Sequence, residues 1–314
     1  MTKELKLVRI AIAFALAGAA ASGPALSQES AQPLKLTMHA LKGGAYWVEG
    51  GRSNTGFVVG DKGVVIIDAQ MTPEAVRQEL AAIARITPKP VNAIVISHAD
   101  PDHVGGLLFY PAGSTIIEHE NTRSEILVSG EDPKAPPAYV QMYKRIGTEF
   151  APTRTIGSTE DVVLDGVRMT LIYPGPAHTS GDLIVYLPLQ KVVYAADIIT
   201  TNTGRFPVIH FGGSSLGWIN AMKTILALNV DTYVAGHGAF ETKAQLAARL
   251  RDVEQRRTQI KAMVEAGKSL AEVEAALPEP GASPMFMTFT QTVYGELTKG
   301  YPPASPPWTN LIHR

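Results

Sequence analysis

Residues 93–106 read AIVISHADPDHVGG, an apolar run that passes without a break into two histidines and two aspartates and ends on a pair of glycines. The segment VNAIVIS has the length and composition of a fully buried strand. His98, Asp100, Asp102 and His103 therefore stand at its C-terminal mouth. Polar residues gather wherever a strand ends in a solvated turn, so the cluster alone has an ordinary explanation. The rest of the chain weakens that explanation. GPAHTSGD places His178 in a glycine loop ahead of an apolar strand, VVYAAD ends a strand on Asp197, and YVAGHG ends another on His237. Groups scattered in sequence but each set at a strand end can converge on one edge of a sheet, which is how a rigid scaffold presents a metal site.

Around these blocks the chain reads as alternating strands and helices. From Leu34 to Asp68, KLTMHAL, AYWVEG, NTGFVVG and GVVIIDA form a meander, with GDKG as a tight turn. Thr72 and Pro73 supply an N-cap and a first-turn proline, and Ala75, Val76, Leu80, Ile83 and Ile86 recur at helical spacing. DHVGG can open a second helix, and strands follow at STIIE, VRMTLIYP, DLIVYLP, KVVYAAD and DTYVAGHG. Ser129 to Thr155 holds prolines and aromatics without strong periodicity, and reads as an irregular lid or binding loop. Beyond about residue 241 the pattern is helical: Leu246, Leu250, Val253, Ile260 and Val264 keep a stripe, Gly267 ends it, and SLAE (269–272) is a capping box. This order predicts two sheets packed together and covered by helices, as one domain over residues 28–314.

Composition narrows the function classes. At 314 residues with 45% hydrophobic and 18% charged content, the chain has the make-up of a soluble globular protein. Lys3, Lys6 and Arg9 precede an apolar run from Ile10 to Ala21, and ALS (25–27) offers small residues before Gln28. That is the layout of a secretory signal peptide over residues 1–27, with a run too short for a membrane span. The expectation is a secreted, periplasmic protein with no stable membrane insertion after processing. Loss of that segment leaves a mildly acidic chain, with no electrostatic footprint for nucleic acid. The absence of cysteine suits an oxidising compartment and excludes disulfides and thiolate ligands, so any metal must be held by nitrogen and oxygen.

From about Ala45 to Phe240 the chain resembles the metallo-β-lactamase superfamily, whose hallmark is His-x-His-x-Asp-His followed by a distant His, a bridging Asp and a last His. HADPDH, His178, Asp197 and His237 fall in that order, and SNTGFVVGDKGVVIIDAQ is similar to the family's opening strands. The resemblance implies an α/β fold: a four-layer αββα sandwich of two mixed β-sheets flanked by helices, here with a helical C-terminal extension. It implies two divalent ions, with His98, Asp100 and His178 at the first, Asp102, His103 and His237 at the second, and Asp197 between them. Asp102 would also orient the attacking water and move a proton to the leaving group.

One position departs from the pattern, because Asp100 stands where the family has its second histidine. An extra carboxylate makes the cluster less electrophilic and favours harder ions, so iron or manganese gain ground while zinc remains first choice. Asp100 could instead hold a neighbouring ligand. The implied reaction is hydrolysis of an ester, thioester, lactone or amide in a small-molecule substrate, by water activated on the ions. Asp197 favours the glyoxalase-II-like and lactonase-like branches. Three alternatives stay open: a di-iron redox enzyme of the same fold, a β-lactamase with His and Asp ligands, and a non-catalytic binding protein on this scaffold.

Other residues have plainer readings. Glu118, His119 and Glu120 read as a solvated loop, and His39 and His313 as structural or exposed. His210 in PVIHFGGSS either lines a pocket and touches substrate or packs its loop. Tyr46 and Trp47 fill the core, and Asn54 and Gly56 shape a turn. Met285, Phe286 and Met287 form a packing patch that could support a homodimer.

Overall fold

Val64–Ile67 is buried at all four positions, yet Val64 and Ile66 belong to one core while Val65 and Ile67 belong to another. Side chains alternate across a strand, so a strand that is apolar throughout must be covered on both faces. The computed structural model describes residues 34–201, 204–210, 212–282 and 286–300, and it meets that demand with layers.

In chain order the elements are β1 (Thr37–Ala40), β2 (Ala45–Glu49), β3 (Thr55–Val59), β4 (Val64–Ile67), α1 (Pro73–Ile86), β5 (Val91–Val95), α2 (Pro101–Val104) and β6 (Thr115–His119). There follow α3 (Glu120–Glu131), α4 (Pro137–Glu149), β7 (Arg154–Ile156), β8 (Glu160–Leu164), β9 (Val167–Ile172), β10 (Ile184–Leu187) and β11 (Val192–Tyr194). The last are α5 (Ser215–Ala227), β12 (Thr232–Val234), α6 (Lys243–Glu265), α7 (Leu270–Ala276) and α8 (Phe289–Lys299). Strands β1 to β7 form one sheet in sequence order, and the second sheet runs β12-β11-β10-β9-β8. Both are mixed. The first is an antiparallel meander through β4 and parallel from there to β7. The second is antiparallel except where β12 joins β11 in parallel.

Three apolar cores separate the layers. Between the sheets lie Val65, Ile67, Val95 and Ile117 against Met169, Leu171, Val185 and Tyr194. On the outer face of the first sheet, Phe57, Ile66 and Ile94 meet Val76 and Ile83 of α1 and Tyr143 and Ile146 of α4. On the outer face of the second, Ile184, Val193 and Tyr233 meet Trp218 and Met222 of α5 and Leu246, Leu250 and Val253 of α6. This is the expected αββα sandwich, with α6, α7 and α8 following the last strand.

Two local expectations change. The segment from Ser129 to Thr155 is ordered, running from the end of α3 through α4 into β7. Its prolines punctuate rather than dissolve it: Pro137 takes the first helical position of α4, where its missing N–H costs nothing. Strands β7 and β8, unexpected from the sequence, lie at the far edges of their sheets. The Ser269–Glu272 capping box forms with both reciprocal bonds. The signal-peptide reading of residues 1–27, His313 and Met285 lie outside the described residues. Among those described, no helix is long and apolar enough to cross a membrane.

Candidate metal centre

β5 delivers the first cluster. Its backbone continues into Ile96, which bonds Ile117 at 2.9 Å, and Pro101 then opens α2, in which His103 and Val104 both donate to the Asp100 carbonyl, at 2.9 and 3.1 Å. The glycine pair explains itself here: a Cβ on Gly106 would lie 1.8 Å from the Ala69 carbonyl oxygen. The turn after β5 can pack on the turn after β4 only without that atom. Asp197 rides on a short 3-10 turn after β11 whose first residue, Ala196, has φ 43°. Gly236, beside it, would place a Cβ 2.0 Å from Asp197 Oδ1. His237 follows β12 on a loop held by Asn54, whose amide donates to the carbonyls of Ala235 (3.1 Å) and Gly238 (2.8 Å). Asn54 thus ties this distant loop to its own turn, where its Oδ1 accepts from Gly50 N at 3.3 Å.

These loops bring all seven expected residues together. Ligand atoms of His98, Asp100, His178 and Asp197 lie within 4.8 Å of one another, as do those of Asp102, His103 and His237. Asp197 spans the two groups: its Oδ1 is 3.2 Å from His103 Nε2, while its Oδ2 is 3.1 Å from His237 Nε2 and 3.7 Å from His178 Nε2. Asp102 Oδ2 sits 3.2 Å from His237 Nε2.

The chemistry of the donors fits metal ions. His98 Nε2, His103 Nε2, Asp100 Oδ1 and Asp197 Oδ1 are buried with no hydrogen-bond partner among the described residues, a state that costs free energy unless an ion or water answers it. The opposite ring nitrogens are held from behind. His103 Nδ1 lies 2.9 Å from Asp68 Oδ2, His98 Nδ1 lies 2.8 Å from Ser97 Oγ, and His178 Nδ1 donates to the Val208 carbonyl at 2.8 Å. Such backing fixes ring orientation and tautomer in metal-binding histidines. Asp68 itself has φ 63° and accepts from Ser97 N (2.7 Å) and Ser97 Oγ (2.8 Å), so backbone strain is concentrated where the rings are aimed.

Electrostatics bind the groups tightly. Burial pushes Asp100 and Asp197 up, but the imidazoles around them more than offset it and hold both carboxyls well below their usual range. The rings respond in kind: burial lowers His178 and His237, yet the same carboxylates raise them to about 9 and about 10. An arriving cation must displace protons from these rings, so uptake releases protons.

The pattern of residues 48–237 matches the model of the metallo-beta-lactamase superfamily. The chain belongs to that superfamily. One relative of this metallo-beta-lactamase superfamily chain is the 2,4-dinitroanisole O-demethylase subunit alpha of Nocardioides sp. (strain JS1661), 32% identical over 205 residues, which cover 64% of this chain and 57% of that one. Another is the linear primary-alkylsulfatase of Pseudomonas sp. (strain ATCC 19151), 23% identical over 212 residues, 56% of this chain and 40% of that one. The chain thus spans about half the length of these relatives. In fold it is similar to the stereoselective inverting sec-alkylsulfatase from Pseudomonas sp., with a TM-score of 0.66 and 18% identity over 84% of this chain and 50% of that one.

Within this superfamily chain, three features go beyond the sequence reading or depart from it. His210, read from the glycines and serines beside it as lining a pocket or packing its loop, lies 3.2 Å from Asp100 Oδ2. Asp68 and Ser97 back the histidines, and their position at the ends of β4 and β5 was the available signal. His119 and Glu118 are buried rather than solvated. The His119 side chain caps α3 by accepting from Asn121 N at 3.1 Å, and its ring stacks on Tyr173. Ser97 offers a measurable consequence. Ser97→Ala removes the hydroxyl between Asp68 and His98, and metal affinity is expected to fall about 10–100-fold with the fold intact, read by chelator competition. Unchanged affinity would mean that Ser97 only packs.

Proposed function

We propose that the protein is a secreted dinuclear metal-dependent hydrolase acting on an ester, thioester, lactone or amide of a small molecule. The observation that carries this reading is the split carboxylate of Asp197, one oxygen against His103 and the other between His237 and His178. His98, Asp100 and His178 would hold one ion, Asp102, His103 and His237 the other, and Asp197 both. Two divalent ions supply Lewis acidity and bring the pKa of water to about 7. Zinc fits this nitrogen and oxygen set, and the carboxylates leave room for manganese or iron.

The residues divide the remaining work. The His98 and His103 side chains are fully buried, whereas those of His237 and Asp102 are 18% and 22% exposed. Substrate and water therefore arrive on the Asp102 side. An Asp102 oxygen takes the proton of the attacking water and returns it to the leaving group, while the buried histidines, locked by Asp68 and Ser97, keep the floor rigid. The relatives, a 2,4-dinitroanisole O-demethylase subunit and an alkylsulfatase, add an aryl methyl ether and an alkyl sulfate to the substrates worth offering. The basic residues and apolar run before Gln28 support export.

Elemental mass spectrometry of the chain purified without chelator tests the reading, together with a panel of ester, thioester, lactone, amide, alkyl sulfate and nitroaryl ether substrates. Two ions per chain and chelator-sensitive turnover are expected. Fewer than one ion after reconstitution overturns it, and two irons with a visible absorption band replace it with redox chemistry. The mature N-terminus after expression in a Gram-negative host tests export, with a start near Gln28 expected.

A further inference from the structure

We propose that His210 is a ligand of the first ion, supplying from a separate loop the imidazole that Asp100 displaces from the HADPDH motif. This rests on the dinuclear reading above and deepens it. Three ring nitrogens converge on the single oxygen Asp100 Oδ2: His210 Nε2 at 3.2 Å, His178 Nε2 at 3.3 Å and His98 Nε2 at 3.4 Å. Four ligands on a tetrahedral zinc, with bonds of about 2.0–2.1 Å, stand about 3.3–3.4 Å apart. The three distances match the edges that meet at one corner of such a tetrahedron, the corner occupied by Asp100 Oδ2. Hydrogen bonding accounts for the His178 contact, at 3.3 Å, but not for His98, whose Nε2 makes no hydrogen bond among the described residues.

The loop that carries His210 is built to place it. His210 N donates to the His178 carbonyl at 2.8 Å, Gly213 N donates back to the His210 carbonyl at 2.8 Å, and Ser214 N reaches the Ala177 carbonyl at 2.9 Å. Thr179 and Gly212 form a β-bridge alongside. Gly212 takes φ 75°, and a Cβ on Gly213 would lie 2.4 Å from the His178 carbonyl oxygen. The two glycines of HFGGSS are what let this loop lie flat on the His178 loop. The ring itself is buried, edge-on to His178 at 4.4 Å and parallel to Phe286 at 5.7 Å.

The substitution at Asp100 then has a partner elsewhere in the chain. The motif loses a neutral imidazole and gains a carboxylate, and His210 restores the nitrogen, giving three nitrogens and one oxygen. With His98, Asp100, His178 and His210 beside the shared Asp197, the first position would have no ligand place left open, whereas the second keeps its exposed edge at Asp102 and His237. The two ions are accordingly unequal, one held tightly as part of the floor and one facing substrate.

The test uses the mature chain as wild type, His210→Ala, His210→Phe, Asp100→His, and Asp100→His combined with His210→Ala. Each is loaded with zinc and dialysed against graded chelator, then counted by elemental mass spectrometry; cobalt-loaded samples are followed by visible absorption. His210→Phe keeps a ring against Phe286 and guards against a folding defect in the alanine variant. Wild type should keep two ions, and both His210 variants one, with the tighter affinity lost by a hundredfold or more and the cobalt spectrum altered. The combined variant should recover the second ion. If His210→Phe keeps both ions at affinities within threefold and an unchanged cobalt spectrum, His210 is no ligand, while the hydrolase reading survives. If wild type binds no ion, both fall together.

Discussion

Asp102→Asn is expected to lower hydrolytic turnover by about a thousandfold or more, in the upper range for loss of a positioned acid–base group, while the unfolding midpoint stays close to that of wild type. The geometry makes this substitution unusually local. The Asp102 backbone is pinned, since its carbonyl accepts from Ser53 Oγ at 2.7 Å, and its side chain is 22% exposed at the rim of the cluster rather than packed in a core. Asparagine keeps the shape but loses the charge beside His237 and one of the two acceptor oxygens. It therefore weakens the outer ligand group and removes the group that shuttles the proton. His103→Ala would be a poorer probe. It deletes a fully buried ring and leaves the buried Asp68 carboxylate with its Ser97 bonds alone, so lost activity could not be separated from lost folding. Turnover should be measured at saturating zinc to separate the two roles of Asp102. A deficit that zinc fully repairs assigns the residue to ligation alone, one that persists assigns it to proton transfer, and turnover within threefold of wild type removes it from the mechanism.

Most of this was legible because the site sits at strand ends, and strand ends are local features. The apolar run of β5 had to stop somewhere, and the polar residues after it had to lie at the sheet edge. The same held for Asp197 after β11 and His237 after β12. The layers followed from runs such as Val64–Ile67, which no single-sided sheet could cover. What could not be read depended on contacts between loops. His210 lies 110 residues from Asp100 in sequence, and only the pairing of its loop with that of His178 puts them 3.2 Å apart. α4 was obscured because just three of its residues, Tyr143, Ile146 and Gly147, are buried, too few to set a stripe against the prolines before them. Glu118 and His119 look like surface residues by composition. They are buried because α3 and the loop around Tyr173 close over them, which is a tertiary fact.

Glu79→Gln is expected to stabilise the protein by roughly 4 kcal/mol at pH 8 and by only about 1 kcal/mol at pH 5. Glu79 lies on the inner face of α1 and is fully buried. Burial pushes its carboxyl from 4.5 up to about 8; hydrogen bonds from Tyr110 and Thr55 draw it partly back, and the charge of Asp68 adds to the rise. In the unfolded chain this proton leaves near pH 4.5, while the native state keeps it until about pH 8. Between those values the unfolded state binds fewer protons, so stability is full below the lower pH and declines as pH rises through the interval. Glutamine is the neutral form made permanent. Its carbonyl oxygen can accept from the Tyr110 hydroxyl, now 3.0 Å from Glu79 Oε2, and its amide can face Thr55 Oγ1. Glu125 and Glu118, pushed up by burial to about 8 and about 7, act in the same direction, so the variant keeps part of the slope that wild type shows. Urea unfolding of both proteins at fixed zinc, at pH 5 and pH 8, measures the difference. An equal gap at the two pH values would mean that Glu79 is already ionised in the native state. The network of Tyr110, Thr55 and Gln70 would then be solvating a charge beneath β3, and the strain at Asp68 would have a neighbour that repels it.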